Sequence, residues 1–343
     1  MKKLFVLFVS FLVSANFCMV YTQDQGRAPF MTRTFSASSI KEVEATTSGG
    51  SLTLTGDTDS NAVVEVYVSR DNWSEERIKQ ALDENYTIEI KVENGKLYVA
   101  AKQKRSFTNW NQTGLSISFK ILVPKQVNSD LQTSGGSIQI SNLSGTQNFK
   151  TSGGSLAINN VSGNTVGATS GGSIAVVGSK DNIDLRTSGG SITAKDCSGI
   201  INLNTSGGSL NLSNLSGDIT ARTSGGSISA SDIKGTLKTG TSGGSVRLSG
   251  ISGNADASTS GGSMEVKIVS VSDYVRLSNS GNLSLSLPAG KGYNLNVKAN
   301  KIETSGLKDF RGSMESTSIQ GTVGSGGAEL NVKSSQRVSL SFE

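Results

Sequence analysis

Between residues 133 and 266 the apolar positions fall on a strict grid. Counted from the threonine that opens each Thr-Ser-Gly-Gly-Ser, the sixth residue is Ile138, Leu156, Ile174, Ile192, Leu210, Ile228, Val246 or Met264. The eighth is Ile140, Ile158, Val176, Ala194, Leu212, Ala230, Leu248 or Val266, while the seventh and ninth are mostly polar. Such alternation predicts a strand with one face buried. Position 11 adds Leu143, Val161, Cys197, Leu215, Ile233 and Ile251. Positions 15 and 17 form a second alternating pair, clearest in Ile183 and Leu185, Ile201 and Leu203, and Ile219 and Ala221. Each unit therefore reads as two short strands.

The units begin at Thr133, Thr151, Thr169, Thr187, Thr205, Thr223, Thr241 and Thr259, always 18 residues apart. A linker has no reason to hold register over eight copies, whereas a coil stacked on identical coils must. The expected fold is all-β: a parallel β-helix (β-solenoid) with 18-residue rungs about 4.8 Å apart, so that eight rungs extend roughly 38 Å. The crossover rule predicts a right-handed coil. Two turns are expected per unit, Ser-Gly-Gly-Ser and a later Ser-Gly step such as Ser144-Gly145. Glycine is required there for positive φ or for close backbone approach. The Ser and Thr hydroxyls are placed to bond neighbouring main chain or to form ladders.

The flanks break the grid. Residues 23–130 read as an N-terminal strand-rich cap, with strands at Val63–Val68, Tyr86–Val92 and Leu115–Val123 and a hairpin turn at Asn94-Gly95. One short helix through Trp73–Leu82 is expected, capped by Asp71 or Asn72. A degenerate unit, Thr47–Ser51, precedes this insert. The regular array covers 131–270, and 271–343 are irregular coils and a cap, with echoes at Asn279–Leu283 and Gly324–Ala328. The strand Arg337–Phe342 is expected to close the array.

Composition fits this reading once the period is known. Gly and Ser together make 98 of 343 residues, which without a period would suggest a flexible chain; with it, they mark corners. The chain has no histidine, which excludes Ser-His-Asp triads, Cys-His pairs and His-based zinc or haem sites. Lys2 and Lys3 before the apolar run Leu4–Val13 predict a signal peptide over residues 1–22, too short for a membrane span. Its removal leaves 30 basic and 27 acidic residues, a nearly neutral chain for which neither nucleic acid nor a transmembrane segment is expected. The residues before Cys18 do not suit lipidation. Only Cys197 then remains, so no internal disulfide is expected.

Phe119–Pro124 leading into the array, the repeated Thr-Ser-Gly-Gly-Ser units, Leu285–Pro288 and Val323–Gly327 together resemble the bacterial putative-adhesin family of exported β-solenoids. The likeness extends to autotransporter-adhesin-like head domains. That resemblance implies a surface-binding module without naming its ligand; with the signal peptide, the expected place is the periplasm, the outer-membrane surface or outside the cell, and the expected partner a glycan or cell-surface protein. The resemblance carries over no catalytic residue.

The residues therefore point to a non-catalytic module without cofactor or metal, the calcium-binding nonapeptide repeat lacking its aspartates. The alternatives are a periplasmic envelope-stress or scaffold protein and a polysaccharide-active β-helix enzyme. Lys104, Arg105, Phe107 and Trp110 concentrate charge and aromatic rings between two strands; they read either as a long hairpin loop whose aromatics fold back onto the cap or as a ligand contact for sugar or an anionic polymer, and they are the candidate contact site. Lys150, Arg186 and Arg222 recur at position 18 of alternate units, with Asp184 beside Arg186. At two-rung spacing, about 9.6 Å, they cannot act on one atom, and solvated charge is the expectation. The parity of the repeated Thr points it inward or at the edge, and one Thr per rung beside a Gly-Gly corner does not make an ice-binding face. Cys197 is expected to be a small core residue.

Overall fold

The alternation read from the repeat becomes backbone pairing in the computed structural model, which describes residues 28–57, 61–104 and 114–343. Leu156 lies between Ile138 and Ile174, and Thr169 is opposite Thr187, in parallel strands offset by 18 residues. A constant parallel offset stacks each position on its own copy, so the columns inherit the composition of the repeat. The protein is all-β, with 27 strands and one α-helix among the described residues, and its strands join in one nearly closed sheet. The first unit supplies strands Ile138–Ser141 and Ser144–Lys150. From Leu210 onward the two halves run together as 14-residue strands, Leu210–Thr223, Ile228–Thr241 and Val246–Thr259.

The core is filled by the columns that the alternation singled out. Ile138, Ile140, Leu143, Ile183, Leu185 and Cys197 all have at most 2% of their surface exposed. Neighbouring units also compensate in size, because stacked side chains share one layer. Gly167 sits beside Phe149 at position 17, where an added Cβ would lie 2.3 Å from the Phe149 ring. Position 15 begins polar: Ser129 donates to Gln147 Oε1 at 2.5 Å, and Gln147 Nε2 donates to the Val127 carbonyl at 2.7 Å. Their mutual bonds make that burial tolerable.

Each unit has three turning points rather than the expected two. At position 10, Asn142, Asn160, Gly178, Asp196, Asn214, Asp232 and Gly250 all have φ between 50° and 70°. This is the left-handed region that Asn, Asp and Gly tolerate best. The Ser-Gly step is the second positive-φ point, as at Gly217 with φ 115°. The Gly-Gly corner has no positive φ, and its second glycine is demanded by close approach instead: a Cβ on Gly208 would lie 2.0 Å from the Gly190 carbonyl oxygen.

In the N-terminal flank, Thr47 pairs with Thr133 and Leu52 with Ile138, so the degenerate unit stands in register below the first regular one. The intervening chain extends both halves of the sheet. Ser116–Val123, Asn61–Ser69 and Met31–Ser36 add to one half, and Lys96–Gln103 and Tyr86–Glu93 to the other. The Asn94-Gly95 turn has φ of 50° and 80°, as expected for its hairpin. The helix is Glu75–Asn85, later than expected. Its cap is Ser74, whose Oγ accepts from the Arg77 N–H. Asp71 and Asn72 precede that turn, and Asn72 is left-handed with φ 62°. Ile78, Ala81 and Leu82 bury the helix against the core.

The C-terminal strand does not close the array. Arg337–Phe342 is paired on both sides, with Leu283–Leu287 and with Lys301–Ser305. Likewise Ala328–Ser334 lies between Met264–Asn279 and Tyr293–Lys298. The chain passes over one position, forms the outer strands first, and returns to fill the gap. Val338, Leu340 and Phe342 are buried, which is why the strand belongs inside rather than at an edge. The outer edge on one side is Phe310–Met314, antiparallel to Ser318–Val323. The echo at Gly324–Ala328 also falls at the opposite side of the coil from the Thr-Ser-Gly-Gly corner. Ser334, opposite Asn279, occupies the threonine column.

Candidate functional site

Two sets of hydroxyl and amide groups are built by the repeat, one inside and one outside. Inside, each repeat threonine is buried. Thr205 Oγ1 donates to the Gly190 carbonyl at 2.7 Å and accepts from the Gly208 N–H at 3.2 Å. The same bridge recurs from Thr133 to Thr259 with donor distances of 2.6–2.8 Å. These hydroxyls close the corner and are unavailable to a ligand. Outside that corner, serines form a ladder in which the Ser209 N–H donates to Ser191 Oγ at 3.1 Å.

The outward face of the second strand carries positions 14, 16 and 18 in straight columns. Amide ladders hold parts of it: Asn182 Nδ2 donates to Asn164 Oδ1 at 2.6 Å. At the N-terminal end the same surface is a charge lattice of matched pairs. Lys96 lies 2.6 Å from Glu44 and 2.9 Å from Glu42, which raise its pKa above the ordinary lysine range. Lys102 and Lys91 lower that of the Glu89 carboxylate. Such exposed pairs contribute little stability each, but with three lysines against four glutamates they leave this end of the face without a cationic excess.

Of the expected ligand contacts, Arg105, Phe107 and Trp110 lie outside the described residues, as do Cys18 and the expected signal segment. Lys104 is placed: its backbone N–H donates to the Asn85 carbonyl at 2.9 Å, and its Nζ donates to the Asp83 carbonyl at 2.5 Å. The helix C-terminus thus holds this cation through the partial negative charge of its carbonyls. Arg186 grips Asp184 through one guanidinium edge, its Nε and Nη2 donating to the two carboxylate oxygens at 3.0 and 2.9 Å. That pair is a surface clamp within one strand, and Lys150 and Arg222 lie two units to either side of it. Cys197 is buried, and burial pushes its thiol pKa up, the opposite of a reactive thiolate. Among the described residues no group of three or more Cys, Asp or Glu is arranged to hold a metal ion.

One feature of the face escaped the motif reading. Position 18 becomes Gly240, Ser258 and, by pairing, Ser278 in three consecutive strands. The loss of three long side chains in one column opens two hollows of about 420 and 350 Å³ that share Asp256. The signal was present in the column itself, since a run of small residues in an outward position makes a depression. It is visible only when the last irregular strands are placed in register, and their spacing no longer follows 18.

No family model matches the chain, and no curated protein sequence matches it. Three solved structures align with most of its length. A putative cell adhesion protein from Clostridium sporogenes is 11% identical over 91% of this chain and 98% of its own, with a TM-score of 0.22. A putative adhesin from Bacteroides fragilis is 11% identical over 93% of this chain and 100% of its own, with a TM-score of 0.26. A putative lipid binding protein from Parabacteroides distasonis is 14% identical over 92% of this chain and 97% of its own, with a TM-score of 0.31. These scores are too low for any functional statement to rest on them.

Proposed function

We propose that this chain is a parallel β-solenoid of 18-residue rungs that acts as a non-catalytic, adhesin-like binding module at the cell envelope. The observation carrying the reading is the fixed 18-residue offset of the pairing, which presents each outward side chain again one strand further on. Many shallow contacts in one line add up through avidity, as a single pocket would not need to. The buried threonine bridges give such a rod its rigidity, and a rigid array loses little conformational entropy on binding.

Two measurements test this. Protease treatment of intact cells producing the chain should cleave it at the surface, and complete protection would overturn the surface placement in favour of a periplasmic scaffold. An array of glycans and cell-surface proteins should give binding. The contribution of the 104–110 segment is then read from a Phe107→Ala, Trp110→Ala double variant, whose unchanged binding would remove that loop from the contact surface.

A further inference from the structure

The face that carries the hollows is divided electrically along its length. In its first five units the outward residues at positions 16 and 18 are Asp130 and Gln132, Asn148 and Lys150, Val166 and Ala168, Asp184 and Arg186, and Asn202 and Asn204. Cations and carboxylates there are equal in number. Beyond them come Thr220 and Arg222, Lys238 and Gly240, Asp256 and Ser258, Arg276 and Ser278, Asn331 and Lys333, and Asn296 and Lys298, each pair beside the next. At positions 16 and 18 five cations share this half with Asp256, and Asp218 and Glu329 stand beside them at position 14, so the half keeps an excess of two positive charges. All five are exposed, and none lies within 4.0 Å of a carboxylate in any ion pair among the described residues. Arg276 instead lies over the Tyr274 ring at 4.3 Å.

We infer that this half of the face is a binding trough for an acidic polysaccharide, an inference that rests on the binding-module reading above. Gly240, Ser258 and Ser278 form its floor. Arg222 stands at one end and Lys333 and Lys298 at the other, about 19 and 24 Å away at four and five strand spacings. Lys238 and Arg276 line one wall, separated by about 9.6 Å, near the length of a disaccharide, with Asp256 between them. Uncompensated cations along one line raise the local concentration of a polyanion and steer it into the trough, and charge-assisted bonds to carboxylate or sulfate hold it there. Ser258, Asn296, Asn331 and Asp256 supply the neutral and accepting groups that sugar hydroxyls require. The trough is open along its length, as an extended chain needs, and the ring beside it, Tyr274, is stacked under Arg276 instead of lining the hollows, where nucleic-acid bases would need it.

The test uses the full chain with polygalacturonate as probe, neutral galactan as its uncharged counterpart, and single-stranded DNA of matched charge. Polygalacturonate should bind, weaken steeply as salt shortens the screening length, and outcompete the DNA; galactan should not bind. An Arg276→Ser, Lys333→Ser double variant should bind at least about tenfold more weakly. Ser258→Gln fills the floor without changing charge and should also weaken binding. A Lys150→Ser, Arg186→Ser variant on the balanced half should bind as wild type, and unchanged thermal unfolding confirms that each variant folds. Undiminished binding by the trough variants would overturn the site, and equal affinity for DNA would overturn the choice of ligand. Absence of binding to polygalacturonate and dextran sulfate would overturn the inference while leaving the binding-module reading to the array. An array without any binder would remove that reading itself.

Discussion

The two turning edges of the repeated units solve the same problem by different means. At the Thr-Ser-Gly-Gly edge the backbone passes so close to its copy that the second glycine has no room for a Cβ, with 1.9–2.6 Å to the nearest atom from Gly50 through Gly281. At the opposite edge, position 10 requires only a left-handed backbone, and Asn, Asp and Gly all supply it. Position 13 lies between these cases. It is glycine except for Asp181, whose φ of 80° is lower than the 98–133° of the glycines, and whose carboxylate accepts from the Gly163 N–H at 2.9 Å. A demand imposed by the neighbouring copy makes a residue invariant along the repeat. A demand imposed by local conformation leaves a choice.

The largest expected effect comes from placing one methyl on either glycine of a single corner. Gly208→Ala puts carbon 2.0 Å from the Gly190 carbonyl oxygen, an overlap with rigid backbone that only strand separation relieves. It should cost more than about 4 kcal/mol of unfolding free energy, in the range reserved for severe strain. Gly207→Ala meets its nearest neighbour at 3.5 Å, an ordinary contact, at a φ that is not positive. It should be neutral or stabilise by up to about 1 kcal/mol by restricting the unfolded chain. Urea denaturation of both variants checks the pair, and equal midpoints would refute the steric account of the corner.

Next is the threonine that bridges the same corner. Thr205→Val keeps the shape but leaves the Gly190 carbonyl and the Gly208 N–H without the hydroxyl that serves both. Removing one partner from a buried bond costs about 1–3 kcal/mol, so the midpoint should fall clearly, though less than for Gly208→Ala. Thr205→Ser retains the hydroxyl and should lose under half as much. If Val and Ser were equally damaging, the methyl rather than the hydrogen bonds would hold the edge.

The same distinction explains what could be read from the residues beforehand. The inward columns, the buried threonine and Cys197 were legible, because period and alternation are properties of the string itself. The turn at position 10 was equally present as a column of Asn, Asp and Gly, but it interrupts no apolar alternation and so drew no notice. The inserted strand Arg337–Phe342 was not legible. Its partners Leu283–Leu287 and Lys301–Ser305 lie in irregular chain, where no period gives the order of strands. The trough was hidden for the same reason, since Arg276, Lys298 and Lys333, three of its five cations, come from that irregular chain. The segment carrying Phe107 and Trp110 stands out by composition alone and lies outside the described residues.

The smallest expected effect lies at the tolerant edge and asks whether conformation is its only demand. Asn214 has φ 50°, and its Nδ2 donates to Asp196 Oδ1 at 2.7 Å. Glycine already occupies the equivalent positions 178 and 250, so Asn214→Gly should lose only an exposed bond and remain within about 0.5 kcal/mol of wild type. Asn214→Ala loses that bond as well, and its Cβ must also enter the left-handed region, at a cost of about 1–2 kcal/mol. The difference between the two variants, measured by urea denaturation, isolates the backbone contribution because both lack the amide. Should Gly prove as costly as Ala, the ladder of side-chain amides, and not the left-handed backbone, would be what maintains this edge.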